Sequence, residues 1–160
     1  MTTVVIKSRL AAAGLVLLGV VRSLAVMAES PNFGEIEISQ AQPRVTANGS
    51  TVGFWALTNL ARRDRHGSLC TGFANINPDH VLVLQDDFDQ LTLQVNSGGN
   101  DTTLVVQGPT AEVIRCGEDS DRRNRDAQII DSSWLAGRYR IWVGAHHQGQ
   151  RYSYSLTVSP

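Results

Sequence analysis

Residues 88–109 constrain the chain more than any other stretch. Leu91, Leu93 and Val95 alternate with Thr92, Gln94 and Asn96. A period of two belongs to a strand with one buried and one solvated face. Ser97-Gly98-Gly99-Asn100-Asp101 follows, a run that tolerates positive φ and tight reversals. Thr102–Gln107 is rich in β-branched residues and stops at Gly108-Pro109, as a second strand ended by a turn would. The pattern predicts a β-hairpin, with the remaining strands packed around it.

Those further strands are legible at turn-marked spacing. Ile36 and Ile38 alternate with Glu35, Glu37 and Ser39, which predicts a first strand solvated on one side. Gln42–Ser50, with Pro43 and Asn48-Gly49, reads as a loop, and Thr51–Asn59 as a strand or a short helix. Arg62–Ser68 is a polar loop with Arg62, Arg63, Arg65 and His66, either solvated or a patch for an acidic partner. His80–Leu84 is a short apolar run that predicts a buried strand, and Glu112–Cys116 predicts another after the Gly-Pro turn. Gly117–Asp126 reads as a polar loop, followed by Ile129-Ile130 in Ala127–Asp131. Arg138–Gly144 alternates Tyr139, Ile141 and Val143 with Arg138, Arg140 and Trp142. Arg151–Ser159 closes the series, with Tyr152, Tyr154, Leu156 and Val158 inward. No helix-period stretch follows residue 60, and eight to ten such strands predict an all-β fold, an antiparallel β-sandwich.

The N-terminus carries a different signal. Lys7 and Arg9 precede the uncharged apolar run Leu10–Val21, and Val26-Met27-Ala28 offers a small-residue cleavage site. This is the pattern of a secretory signal peptide over residues 1–28. Its apolar run falls short of the ~20 residues a spanning helix needs, so no transmembrane segment is expected in the mature chain. Residues 29–68 then supply N-terminal strands and a linker, and 69–160 the sandwich core, with 29–160 forming one domain. The first 28 residues hold three basic residues and no acid, leaving 11 basic and 15 acidic residues, a mature charge of about −4 with every base an arginine. An acidic domain is a poor partner for nucleic acid. Two cysteines, Cys70 and Cys116, remain in a chain bound for an oxidising compartment, which predicts one disulfide. Its loop of about 45 residues restricts the unfolded chain by roughly 4 kcal/mol in the loop-entropy model.

Taken in order, five stretches look like one family. They are Leu91–Val95, then Gly99-Asn100-Asp101-Thr102-Thr103-Leu104, then Asp119-Ser120-Asp121, then Ala136–Val143 around Gly137-Arg138-Tyr139, and then Tyr152–Leu156. Together they resemble the bacterial pre-peptidase C-terminal domain family, across roughly Cys70–Val158. Residues 29–69 match nothing in that pattern. The resemblance implies a secreted, non-catalytic, jelly-roll-like β-sandwich that often sits beside a peptidase and in some members binds collagen or other substrates. With no room here for a peptidase, it implies a free-standing version in the periplasm or outside the cell. Asn48 and Asn100 head N-glycosylation patterns, which a bacterial chain leaves unused.

Three kinds of chemistry are on offer. Glu118, Asp119, Asp121, Asn124 and Asp126 place oxygen ligands in one loop, a candidate calcium site. Arg122, Arg123 and Arg125 are interleaved with them, and the spacing is not that of an EF-hand. No organic cofactor is called for. Asp86, Asp87 and Asp89 form a second acidic group, read as turn caps and edge protection. Four histidines, His66, His80, His146 and His147, raise a hydrolase or metal reading, but no serine sits in a nucleophile elbow and no third ligand joins His146 and His147. Arg138, Arg140 and Trp142 on one strand face form a candidate binding surface, since arginine and an exposed aromatic give large contact area. The expectation is an exported, non-catalytic binding or accessory module for a protein or glycan. A structural envelope protein or assembly subunit is the alternative, and a small hydrolase the third reading.

Overall fold

The computed structural model describes residues 30–160, and the expected signal peptide lies outside the described residues. Among the described residues, eleven strands and a single 3-10 turn, Leu57–Asn59, make up the regular structure. The strands are β1 (Glu35–Ile38), β2 (Val45–Ser50), β3 (Trp55–Ala56), β4 (Phe73–Ala74), β5 (His80–Leu84) and β6 (Phe88–Asn96). They continue with β7 (Thr102–Gln107), β8 (Ile114–Asp119), β9 (Ala127–Trp134), β10 (Gly137–Ala145) and β11 (Ser153–Ser159). The fold is therefore all-β, and among the described residues no helix is long and apolar enough to cross a membrane.

The ladder runs β1-β5-β10-β7-β8-β9-β6-β11-β2, with β3 and β4 appended to β10 through Phe73 opposite Ala145. β8 makes it continuous. Ile114–Gly117 pairs with β7, and Glu118–Asp119 then pairs with β9. The two ends of the ladder, β1 and β2, approach one another, so the sheet rolls into a nearly closed, barrel-like form rather than two separate sheets. Gly117 sits where β8 changes partner, and a Cβ there would run into the Gln128 carbonyl. One pairing departs from an all-antiparallel sheet, because β1 lies parallel to β5, Glu35 opposite Val81.

The predicted hairpin does not form. β6 pairs with β9 and β11, and β7 pairs with β10 and β8. Ser97–Asp101 instead carries the chain from one wall of the barrel to the other. Asp126 fixes this link: its Oδ1 accepts from the Ser97 N–H at 2.8 Å and from the Ser97 hydroxyl, and its Oδ2 accepts from the Gly99 N–H at 3.0 Å. Turn chemistry sets the reversal, but not whether the two strands end side by side or on opposite walls.

Burial explains the arrangement. β6 alternates, placing Leu91, Leu93 and Val95 in the central core with Tyr139, Ile141 and Val143 of β10 and Leu156 and Val158 of β11. β7 is buried on both faces. Leu104 and Val106 point to the central core, while Val105 joins an outer cluster with Leu57, Cys70, Ala74, Ile114 and Trp142. Part of the segment between β2 and β5 thus lies over β7 and β10. The expected loop over Gln42–Ser50 is also corrected, because Val45–Ser50 pairs with β11 from Val45–Val158 to Ser50–Ser153. Its Val-Thr-Ala-Asn-Gly-Ser sequence has little intrinsic strand signal, and tertiary pairing supplies the rest.

Candidate functional site

The disulfide forms between Cys70 and Cys116. It binds the end of the arginine-rich loop to β8. Within that loop, Asp64 Oδ1 accepts from the His66 and Ser68 N–H groups at 2.9 and 2.8 Å, and Arg63 donates to the Gly67 carbonyl at 2.5 Å. The Arg65 N–H donates to the Ile114 carbonyl at 3.0 Å. Loop 62–69 is therefore a fixed element docked on β8, with Arg65 and His66 set beside the end of β9.

There the chain buries an ion pair that sequence reading did not single out. Arg115 is 2 % exposed, and its Nε donates to Asp131 Oδ2 at 2.6 Å. Its guanidinium lies 3.9 Å from the Trp134 ring centroid and donates to the Ser133 carbonyl at 3.0 Å. Ser133 has φ 59°, a left-handed conformation that a residue with a Cβ rarely adopts. This break in the alternation of β9 turns Trp134 inward and aims the carbonyl at Arg115. Asp131 serves four groups at once. Its Oδ1 meets His66 Nε2 at 2.9 Å and accepts from the Ser132 N–H at 2.8 Å, while Oδ2 also lies 3.6 Å from Arg65 Nη1. Burial pushes this carboxyl up, but His66, the Ser132 N–H and Arg115 outweigh burial and hold it below the ordinary value.

Two clefts flank the pair. One of about 380 Å³ is lined by Arg65, Pro109, Val113, Ser133 and Leu135. The other, about 320 Å³, is lined by His66, Ser68, Gln128, Ile130 and Asp131. Large aliphatic side chains stand out in water on them, Ile130 60 % and Leu135 57 % exposed, and Leu69, next to Ser68 at the end of the loop, is 57 % exposed. Exposed aliphatics beside rigidly held cations are the chemistry of a recognition surface.

The expected binding face on β10 is different from its prediction. Trp142 is 2 % exposed, covered by the outer cluster, and its indole N–H donates to the Ile76 carbonyl at 3.3 Å. Arg138 is exposed and pairs with Glu35 at 2.6 Å, and Arg140 donates to Gln107 at 2.5 Å. Alternation placed the three residues on one side of the strand correctly. It had no means of showing that a distant segment covers that side.

Nor does the acidic loop gather its oxygens. Asp126 is buried and occupied by Ser97 and Gly99, Asp121 Oδ1 accepts from the Arg123 and Asn124 N–H groups, and Asn124 Oδ1 accepts from the Asp126 N–H. Glu118 and Asp119 lie on β8. Among the described residues, no three His, Cys, Asp or Glu side chains are grouped to hold a metal ion. Asp86 and Asp87 cap backbone, accepting from the N–H groups of Gln40 at 2.8 Å and Ala136 at 2.6 Å. The histidines are scattered. His146 and His147 face one another at 4.9 Å, and His80 is buried with its Nε2 3.0 Å from the Tyr154 hydroxyl.

No protein-family model and no curated protein sequence matches the chain. Among solved structures it is similar to the pre-peptidase C-terminal domain of collagenase from Bacillus anthracis, at 14 % identity and a TM-score of 0.46, covering 78 % of this chain and 94 % of that one. It is also similar to PliG of Aeromonas hydrophila, a periplasmic lysozyme inhibitor of g-type lysozyme, at 18 % identity and a TM-score of 0.44, covering 79 % and 95 %.

Proposed function

We propose that this protein is an exported, non-catalytic binding module, with an all-β fold of the pre-peptidase C-terminal type, that recognises a protein partner. Export is supported by the N-terminal charge and apolar pattern and by the Cys70–Cys116 bridge. The single observation that carries the reading is the corner where loop 62–69 meets the end of β9. It combines the exposed Leu69, Ile130 and Leu135 with cations locked by a disulfide and a buried ion pair. Preorganised side chains lose little freedom on binding, which favours association at such a corner.

The test is capture. The purified protein, immobilised and incubated with envelope and secreted extract, retains a protein. A variant carrying Arg65→Gln and Leu135→Ser, with an unchanged thermal melt, fails to retain it. An empty wild-type eluate, or equal retention by the folded variant, contradicts the proposal.

A further inference from the structure

Arg65 is only partly engaged. Its Nη1 donates to the Ser132 carbonyl at 3.3 Å and lies 3.6 Å from Asp131, which fixes the guanidinium in place. Its Nε and Nη2 meet no partner among the described residues. Those two donors form the side of the fork that takes a carboxylate bidentately. Arg65 lines the cleft of about 380 Å³, whose other walls include the apolar Pro109, Val113 and Leu135. Nearby charge is also unbalanced. Asp131 is shared by Arg65 and Arg115 and also bonds His66, while Asp64 and Glu112 are the other carboxylates of this corner. Arg62 and Arg63 add to the same loop, in a chain whose mature charge is negative.

We infer that this cleft receives an acidic segment of a protein partner, with a carboxylate on the Nε–Nη2 edge of Arg65 and a neighbouring aliphatic side chain against Val113 and Leu135. This rests on the binding-module reading and names the chemistry of its partner. Glu112, exposed at the cleft, tunes the selectivity, since its carboxylate repels the incoming one. The occupant is a protein segment because the aliphatic walls match a leucine-type side chain, which a phosphate or a sugar acid lacks.

The probe is a Gly/Ser-flanked peptide in which each leucine sits between two glutamates. Its control replaces glutamate with glutamine, and binding is followed by calorimetry at low salt. The acidic peptide binds saturably and the glutamine control about tenfold more weakly or worse, as expected for a charge-assisted bidentate contact. Arg65→Gln weakens the acidic peptide by about tenfold. Glu112→Gln tightens it by about twofold to threefold, the effect of removing a like charge in solvent. Arg138→Ala on β10, which removes the partner of Glu35 on β1, leaves it unchanged. No saturable binding, equal affinity for both peptides, or indifference to Arg65→Gln overturns the inference. If capture from extract still depends on Arg65 and Leu135 while the acidic peptide does not bind, the binding module stands and its acidic partner falls. If both assays are negative, both fall.

Discussion

At the scale of the residue, Arg115 and Asp131 matter most. Breaking a buried ion pair leaves a charge without its partner, and such losses run to about 3–5 kcal/mol. His66 and Arg65 still face Asp131 once Arg115 is gone, so Arg115→Met is expected to cost about 3 kcal/mol, the low end of that range. The midpoint of urea unfolding checks this, and a change under 1 kcal/mol, about what a surface pair is worth, contradicts it. Asp131 is held below its ordinary 3.8. Its contribution is present above that value and is lost as pH falls through the depressed one. A second buried pair of neighbours carries its own pH signature. Burial lowers His80 from 6.5 to about 4. Burial raises Asp79 from 3.8 to about 6, against hydrogen bonds from Asn32 and the Val143 N–H. His80 stabilises above 6.5 and loses that contribution as pH falls through about 4. Asp79 stabilises below 3.8 and loses that contribution as pH rises through about 6. Between about pH 4 and 6 the two slopes oppose each other. Asp79→Asn therefore leaves a protein that weakens on acidification, and His80→Gln leaves one that weakens as pH rises. Urea midpoints across that range decide it, and two variants with slopes of the same sign contradict the assignment.

At the scale of the element, β8 and β10 show what local pattern conveys and what it omits. The alternation of β10 was legible, and Tyr139, Ile141 and Val143 occupy the central core as expected. Its other face was not, because the cover comes from Leu57, Cys70 and Ala74, far away in sequence. Trp142→Ala is accordingly a core truncation, expected to cost about 3–5 kcal/mol. Chemical denaturation checks it, and a stability equal to wild type would mean the indole is not packed. Arg115 was misleading for the opposite reason. Arginine reads as surface, yet here a strand arginine meets the one carboxylate of β9 and a tryptophan face. An arginine between the apolar Ile114 and Cys116 of one strand, with a lone aspartate in another, was the available signal. The link after β6 was legible as a reversal through Gly98 and Gly99. Its destination was not, because the double-sided burial of β7 is a property of the assembled sheet. The pairing of the cysteines was the best-determined long-range contact, since two cysteines allow one bridge.

At the scale of the molecule, the long-range pairings converge on one corner. β8 hands the ladder from one wall to the other, and on the same strand Arg115 grips β9 while Cys116 holds loop 62–69. The loop is thereby a rigid extension of the barrel, and its cations stand beside exposed aliphatics at one corner of the molecule. Hydrogen–deuterium exchange of the protein, alone and loaded with the partner retained from extract, tests this most directly. New protection of amides in 62–69 and 131–135 is expected, with 138–142 unchanged. Protection centred on 138–142 or on 118–126, with 62–69 unaffected, would contradict it.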